Sequence, residues 1–81
     1  MNRYCLVVFK NTIGAIKGEQ KLKEDNLDIE VMPTPSVITG SCGICIRFNE
    51  NILINVKESI ENNQLEINGL YIKNEEGFSR L

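Results

Sequence analysis

Residues 4–9, Tyr-Cys-Leu-Val-Val-Phe, form an unbroken apolar run rich in β-branched and aromatic side chains. A strand with one wet face alternates apolar and polar residues, so a run without alternation reads as a central strand covered on both faces. Such a strand needs partner strands beside it and helices packed against it. The chain supplies a helix at once. Asn11-Thr12 offers an N-cap, and residues 12–26 place Ala15, Gly18 and Leu22 on one stripe, with Ile16 at its edge and the lysines mostly opposite. Glycine inside a helix costs about 1 kcal/mol relative to alanine. Gly18 is therefore expected where the helix approaches the sheet closely.

Further strands follow. Residues 28–32 alternate, Ile29 and Val31 on one side against Asp28 and Glu30 on the other, as in a half-exposed strand at a sheet edge. Pro33 and Pro35 stop that strand, because proline lacks a backbone donor and pushes the preceding residue toward extended conformations. Residues 34–41 then read as a shaped loop. Alternation resumes over 43–48, with Ile44, Ile46 and Phe48 on one face and Cys45 and Arg47 on the other. Asn49 or Asn51 can cap a second helix reaching about residue 63, whose Ile52, Leu53, Val56 and Ile60 share a core-facing stripe. In the last strand, 65–73, Asn68-Gly69 is a hairpin signal whose arms would be too short, so it reads as a bulge at Gly69. Residues 74–81 read as a C-terminal tail. The order β-α-β-β-α-β predicts a single α+β domain over 1–73, a ferredoxin-like sandwich with a four-stranded antiparallel sheet and two helices on one face.

With 81 residues the chain can build one modest core. A net charge of −2 weighs against nucleic acid as the main partner, since phosphate binding calls for a basic face. Lys10, Lys17, Lys21 and Lys23 are interleaved with Glu19, Glu24 and Asp25, as on a solvated helix. No apolar run approaches the roughly 20 residues that cross a bilayer, and the first residues lack a signal-peptide cleavage pattern, so a cytoplasmic protein without membrane association is expected. Homodimer formation stays open.

Three cysteines and no histidine bound the chemistry. Cys-His nucleophilic pairs and Cys2His2 zinc sites are excluded, and three thiols make an incomplete tetrahedral set, so no metal site or resident cofactor is expected. Cys5 falls in the central strand and reads as core. Cys42 stands between Gly40-Ser41 and Gly43, where small neighbours leave a sulfur unshielded and let backbone N–H groups stabilise its anion. The alternative is a small apolar filler at a strand start. Cys45 makes a Cys-x-x-Cys spacing with Cys42, but in extended chain three residues span about 10 Å. A disulfide needs Cα atoms within about 7 Å, so sheet-face packing is the plainer role for Cys45. Arg47, on the Cys45 face, could pair with an anionic cargo or a partner's carboxylate; its plainer reading is a solvated strand charge near Glu30 or Asp28.

Several blocks taken together resemble a known family: Tyr4 and Phe9 followed by Asn11-Thr12, Ala15 with Gly18-Glu19, Pro33-Thr34-Pro35, Ser41-Cys42-Gly43 with Arg47, and Gly69-Leu70-Tyr71. These are similar to the short bacterial domains of the selenium/sulfur carrier protein-like family. The resemblance implies a ferredoxin-like domain, a carrier protein more than a stand-alone enzyme, whose working thiol is Cys42. The loop residues Pro33, Thr34, Pro35, Gly40, Ser41 and Gly43 would support that thiol, and Cys45 and Arg47 are auxiliary candidates by their place on the strand. The cargo would be a covalent persulfide or selenopersulfide on Cys42, exchanged with sulfur or selenium donor and acceptor proteins. Cys45 stands where the family usually has a small residue. Two other readings remain: a small regulatory module that binds a ligand or protein without redox chemistry, and a Cu(I) carrier using Cys42 and Cys45.

Overall fold

The computed structural model describes residues 3–38 and 43–81. Its elements run β1 (Tyr4–Phe9), α1 (Thr12–Glu24), β2 (Ile29–Pro33), β3 (Ile44–Phe48), a 3-10 turn (Glu50–Ile52), α2 (Leu53–Asn62), β4 (Ile67–Asn74) and β5 (Gly77–Arg80). The strands form one antiparallel sheet in the order β2-β3-β1-β4-β5. The apolar run is its central strand, and residues 5–9 are fully buried. Alternate residues of β1 serve two layers. Cys5, Val7 and Phe9 pack with Ala15 and Leu22 of α1, Val56 of α2, and Ile46 and Phe48 of β3. Leu6 and Val8 point to the opposite face, where they meet Ile38 and Cys45. Both helices thus lie on one side. Among the described residues, no helix is long and apolar enough to cross a membrane.

The sheet has five strands where the sequence suggested four. Residues 74–81, read as a loose tail, instead complete β4 and return along it as β5. Asn74 begins the reversal by accepting the Glu76 N–H on its Oδ1 at 2.9 Å. Gly77 completes it at φ +125°, a conformation that side chains other than glycine's rarely tolerate. The pairs Asn74–Gly77, Lys73–Phe78, Ile72–Ser79 and Tyr71–Arg80 follow. The Leu81 N–H closes the ladder on the Leu70 carbonyl at 2.8 Å. The open edges are therefore β2, as expected, and β5.

Other local expectations hold, with one exception. Asn11 caps α1 by accepting the Gly14 N–H on its Oδ1 at 2.7 Å. The expected Asn49 or Asn51 cap on α2 does not form: Asn49 caps the 3-10 turn, accepting the Asn51 N–H at 2.8 Å, and α2 starts after Ile52 without a side-chain cap. Val8 pairs with Gly69 and Phe9 with Ile67, which leaves Asn68 as the extra residue of a bulge beside Gly69. At Gly18, a Cβ would lie 2.3 Å from Phe9 Cζ, so the helix does come down onto the sheet there. The two helices are also tied by a polar contact: the buried Ser59 hydroxyl donates to the carboxylate of Asp25, the C-cap of α1.

Candidate functional site

The segment after β2 is held at its neck and pinned to the sheet face that carries no helix. Pro33 ends β2 opposite Ile44, and the Thr34 N–H donates to the Gly43 carbonyl at 3.0 Å. Pro35 starts a tight turn in which its carbonyl accepts the Ile38 N–H, also at 3.0 Å. That turn brings Ile38 back over the sheet, where its side chain covers Leu6, Val8 and Cys45. Val37 beside it is exposed. Thr34 Oγ1 is buried and has no hydrogen-bond partner among the described residues. Gly43 stands in open space: a Cβ there would meet nothing within 4 Å. Its value is not steric fit to a neighbour. Gly40, Ser41 and Cys42 lie outside the described residues.

The other two thiols are accounted for. Cys5 is fully buried under the helices, and burial pushes its pKa up. Glu50 adds to that shift, while Arg3 and Lys57 partly offset it. A thiol held neutral in a core is a poor nucleophile. Cys45 is also fully buried, between Val8 and Met32 in the cross-strand row and beneath Ile38, with its Sγ 3.9 Å from the Pro33 carbonyl. Arg47 shares that face and is half exposed. Its guanidinium lies 4.2 Å from the centre of the Tyr4 ring, and its Nη1 approaches Glu30 only to 4.0 Å. The structure therefore brings Pro33, Thr34, Pro35, Gly43 and Cys45 together at the loop neck and sets Arg47 one row further down the sheet.

Sequence reasoning missed three contributors to this face. Ile38 is a single apolar residue inside a polar loop, without periodic neighbours to announce its burial. Tyr71 and Phe78 lie on the same face as Tyr4, each with a cation near its ring: Arg80 at 6.0 Å and Lys73 at 5.6 Å. The parity of residues along β4 carries the first signal. The turn composition Asn-Glu-Glu-Gly carries the second, since it sends Phe78 back along β4.

No curated protein and no solved structure matches the chain. A family model, described as "Putative Se/S carrier protein-like", matches residues 4–72, which takes in every element from β1 to most of β4, and the loop between β2 and β3. The chain belongs to this selenium/sulfur carrier protein-like family.

Proposed function

We propose that this chain is a cytoplasmic sulfur or selenium carrier that holds its cargo on Cys42 and passes it between partner proteins. The family match, which spans residue 42, carries the reading. The burial of Cys5 and Cys45 supports it, because it commits both of those thiols to the core. The strand order β2-β3-β1-β4 with two helices on one face supports a ferredoxin-like framework, extended here by β5.

The chemistry needs only thiolates. The Cys42 thiolate attacks the outer sulfur of a donor persulfide. A new S–S bond forms on Cys42, the donor's S–S bond breaks, and the donor leaves as a thiolate, so no net oxidation occurs. Delivery repeats the step in reverse: an acceptor thiolate attacks the outer sulfur, and the Cys42 thiolate leaves. A selenopersulfide follows the same balance, with selenium as the outer atom. The burial of Cys45 beneath Ile38 weighs against a Cu(I) site shared by Cys42 and Cys45.

Incubation with a cysteine desulfurase and cysteine, followed by intact-mass measurement, tests the proposal. The expected product gains one sulfur atom and loses it to dithiothreitol. Cys42→Ser should gain none, whereas a Cys5→Ala, Cys45→Ala double variant should still load. A sulfur adduct that persists in Cys42→Ser would sink the assignment.

A further inference from the structure

The helix-free face of the sheet has an order of its own. One cross-strand row reads Glu30, Arg47, Leu6, Tyr71, Arg80 across β2, β3, β1, β4 and β5. The adjacent row reads Tyr4, Lys73, Phe78 across β1, β4 and β5. The strand positions of this face thus carry Arg47, Lys73 and Arg80 against Glu30 alone, in a chain whose net charge is −2. Each of the three cations lies near an aromatic ring of the same face, at 4.2 Å for Arg47 and Tyr4, 5.6 Å for Lys73 and Phe78, and 6.0 Å for Arg80 and Tyr71.

We propose that this face is a docking surface for an extended acidic segment of a partner protein, with Arg47 and Arg80 each receiving a carboxylate. A guanidinium resting on a ring is held in orientation, which leaves N–H groups at its edge arranged for a carboxylate's two oxygens. Arg80 spends one such group on the Asn68 carbonyl at 3.0 Å, and Arg47 reaches Glu30 only at 4.0 Å, so both keep donors for a ligand. The spacing selects the ligand. The Cα positions of Arg47 and Arg80 are three strand spacings apart, roughly 14 Å, with the guanidiniums leaning inward toward Tyr4 and Tyr71. Carboxylates four residues apart in an extended peptide span about 13 Å and project to the same side. The side chain midway between them then lies over Leu6 and Tyr71. Single-stranded nucleic acid fits less well, because its bases need bare aromatic faces to stack on, and here each ring already has a cation of its own beside it. The inference does not depend on transfer chemistry at Cys42.

Fluorescence anisotropy with a labelled ten-residue peptide of alternating Glu and Ser tests it, using the reduced, unloaded protein and its Cys42→Ser variant in parallel. Both should bind the peptide, with affinity that falls as salt rises. Arg47→Gln with Arg80→Gln should weaken binding by about tenfold or more, as expected for loss of two charge-assisted contacts. Glu30→Gln should tighten it, and Lys17→Gln, on α1, should leave it unchanged. If the double glutamine variant does not fold by circular dichroism, Arg47→Lys with Arg80→Lys replaces it, and a several-fold loss is expected because lysine keeps the charge without the planar fork. Peptide affinity indifferent to either pair overturns the proposal. So does stronger binding of an oligothymidylate of matching length, or sedimentation as a dimer that Arg47→Gln with Arg80→Gln dissociates.

Discussion

Gly18→Ala sets two known effects against each other at one position. In an exposed helix, alanine would stabilise by about 1 kcal/mol over glycine. Here the new Cβ would lie 2.3 Å from Phe9 Cζ, 2.6 Å from Cε2 and 3.2 Å from Cε1. Phe9 is fully buried in the central strand, so its ring cannot escape toward solvent. Overpacking of this kind typically costs about 1–3 kcal/mol. The sum is a net destabilisation of about 1 kcal/mol. A second substitution isolates the cause. Phe9→Leu removes the tip of the ring, and in that background Gly18→Ala should recover its helix-propensity gain and stabilise. The double-mutant cycle should therefore show a coupling of about 2 kcal/mol between the two positions. Urea unfolding followed by far-UV circular dichroism measures all four variants, with a shared slope confirming that only stability changes. The reasoning is refuted if Gly18→Ala stabilises the parent chain by its full helix propensity, or if the coupling falls within about 0.5 kcal/mol of zero.

Three other outcomes follow from the same structure. Burial raises the Cys5 pKa in the folded chain, so its contribution to stability is complete below the unfolded thiol's pKa, about 8.5, and is lost as pH rises toward the folded value. The stability difference between the parent and Cys5→Ala should therefore shrink as pH rises above about 8.5; a constant difference contradicts the assignment. Ile38→Ala should cost about 2 kcal/mol or more and speed alkylation of Cys45 in a Cys42→Ser background, because Ile38 is what covers that thiol. Unchanged labelling would show that something else shields Cys45. Gly43→Ala should leave the unfolding free energy within about 0.5 kcal/mol of the parent, since its Cβ meets nothing within 4 Å; any loss of sulfur loading in that variant then reports on the loop's chemistry and not on folding.

Much of the framework was legible because the local signals are strong. The run from Tyr4 to Phe9 needs cover on both faces and finds it, the Asn11 cap has its backbone partner, and Gly18 marks the close approach to Phe9. The fifth strand was not legible from pattern. Gly77–Arg80 is too short for alternation to stand out, and its pairing depends on a turn at Asn74 that only tertiary context rewards. Ile38 escaped for a related reason: one apolar residue in a loop has no period, and its burial follows from the turn at Pro35. At the candidate site, residue reasoning separates Cys5 as core and favours packing for Cys45, and their burial agrees. The carrier role of Cys42 rests on the resemblance and is a proposal; the family match shows membership of the family. The charged and aromatic face escaped because its parts come from four strands, distant in sequence, which only the register aligns.

The short β5 also decides how the protein behaves in company. A bare sheet edge offers unpaired backbone donors and acceptors to any neighbouring chain, and the offer grows with strand length. With β5 in place, that edge of the sheet is four residues long and ends on Ser79 and Arg80; without it, the edge would be the eight residues of β4. The family match stops at residue 72, so a chain trimmed to the matched segment would discard this cover and leave β4 open to edge-to-edge polymerisation. The last strand thus halves the length of backbone that this edge of the sheet offers to a neighbouring chain.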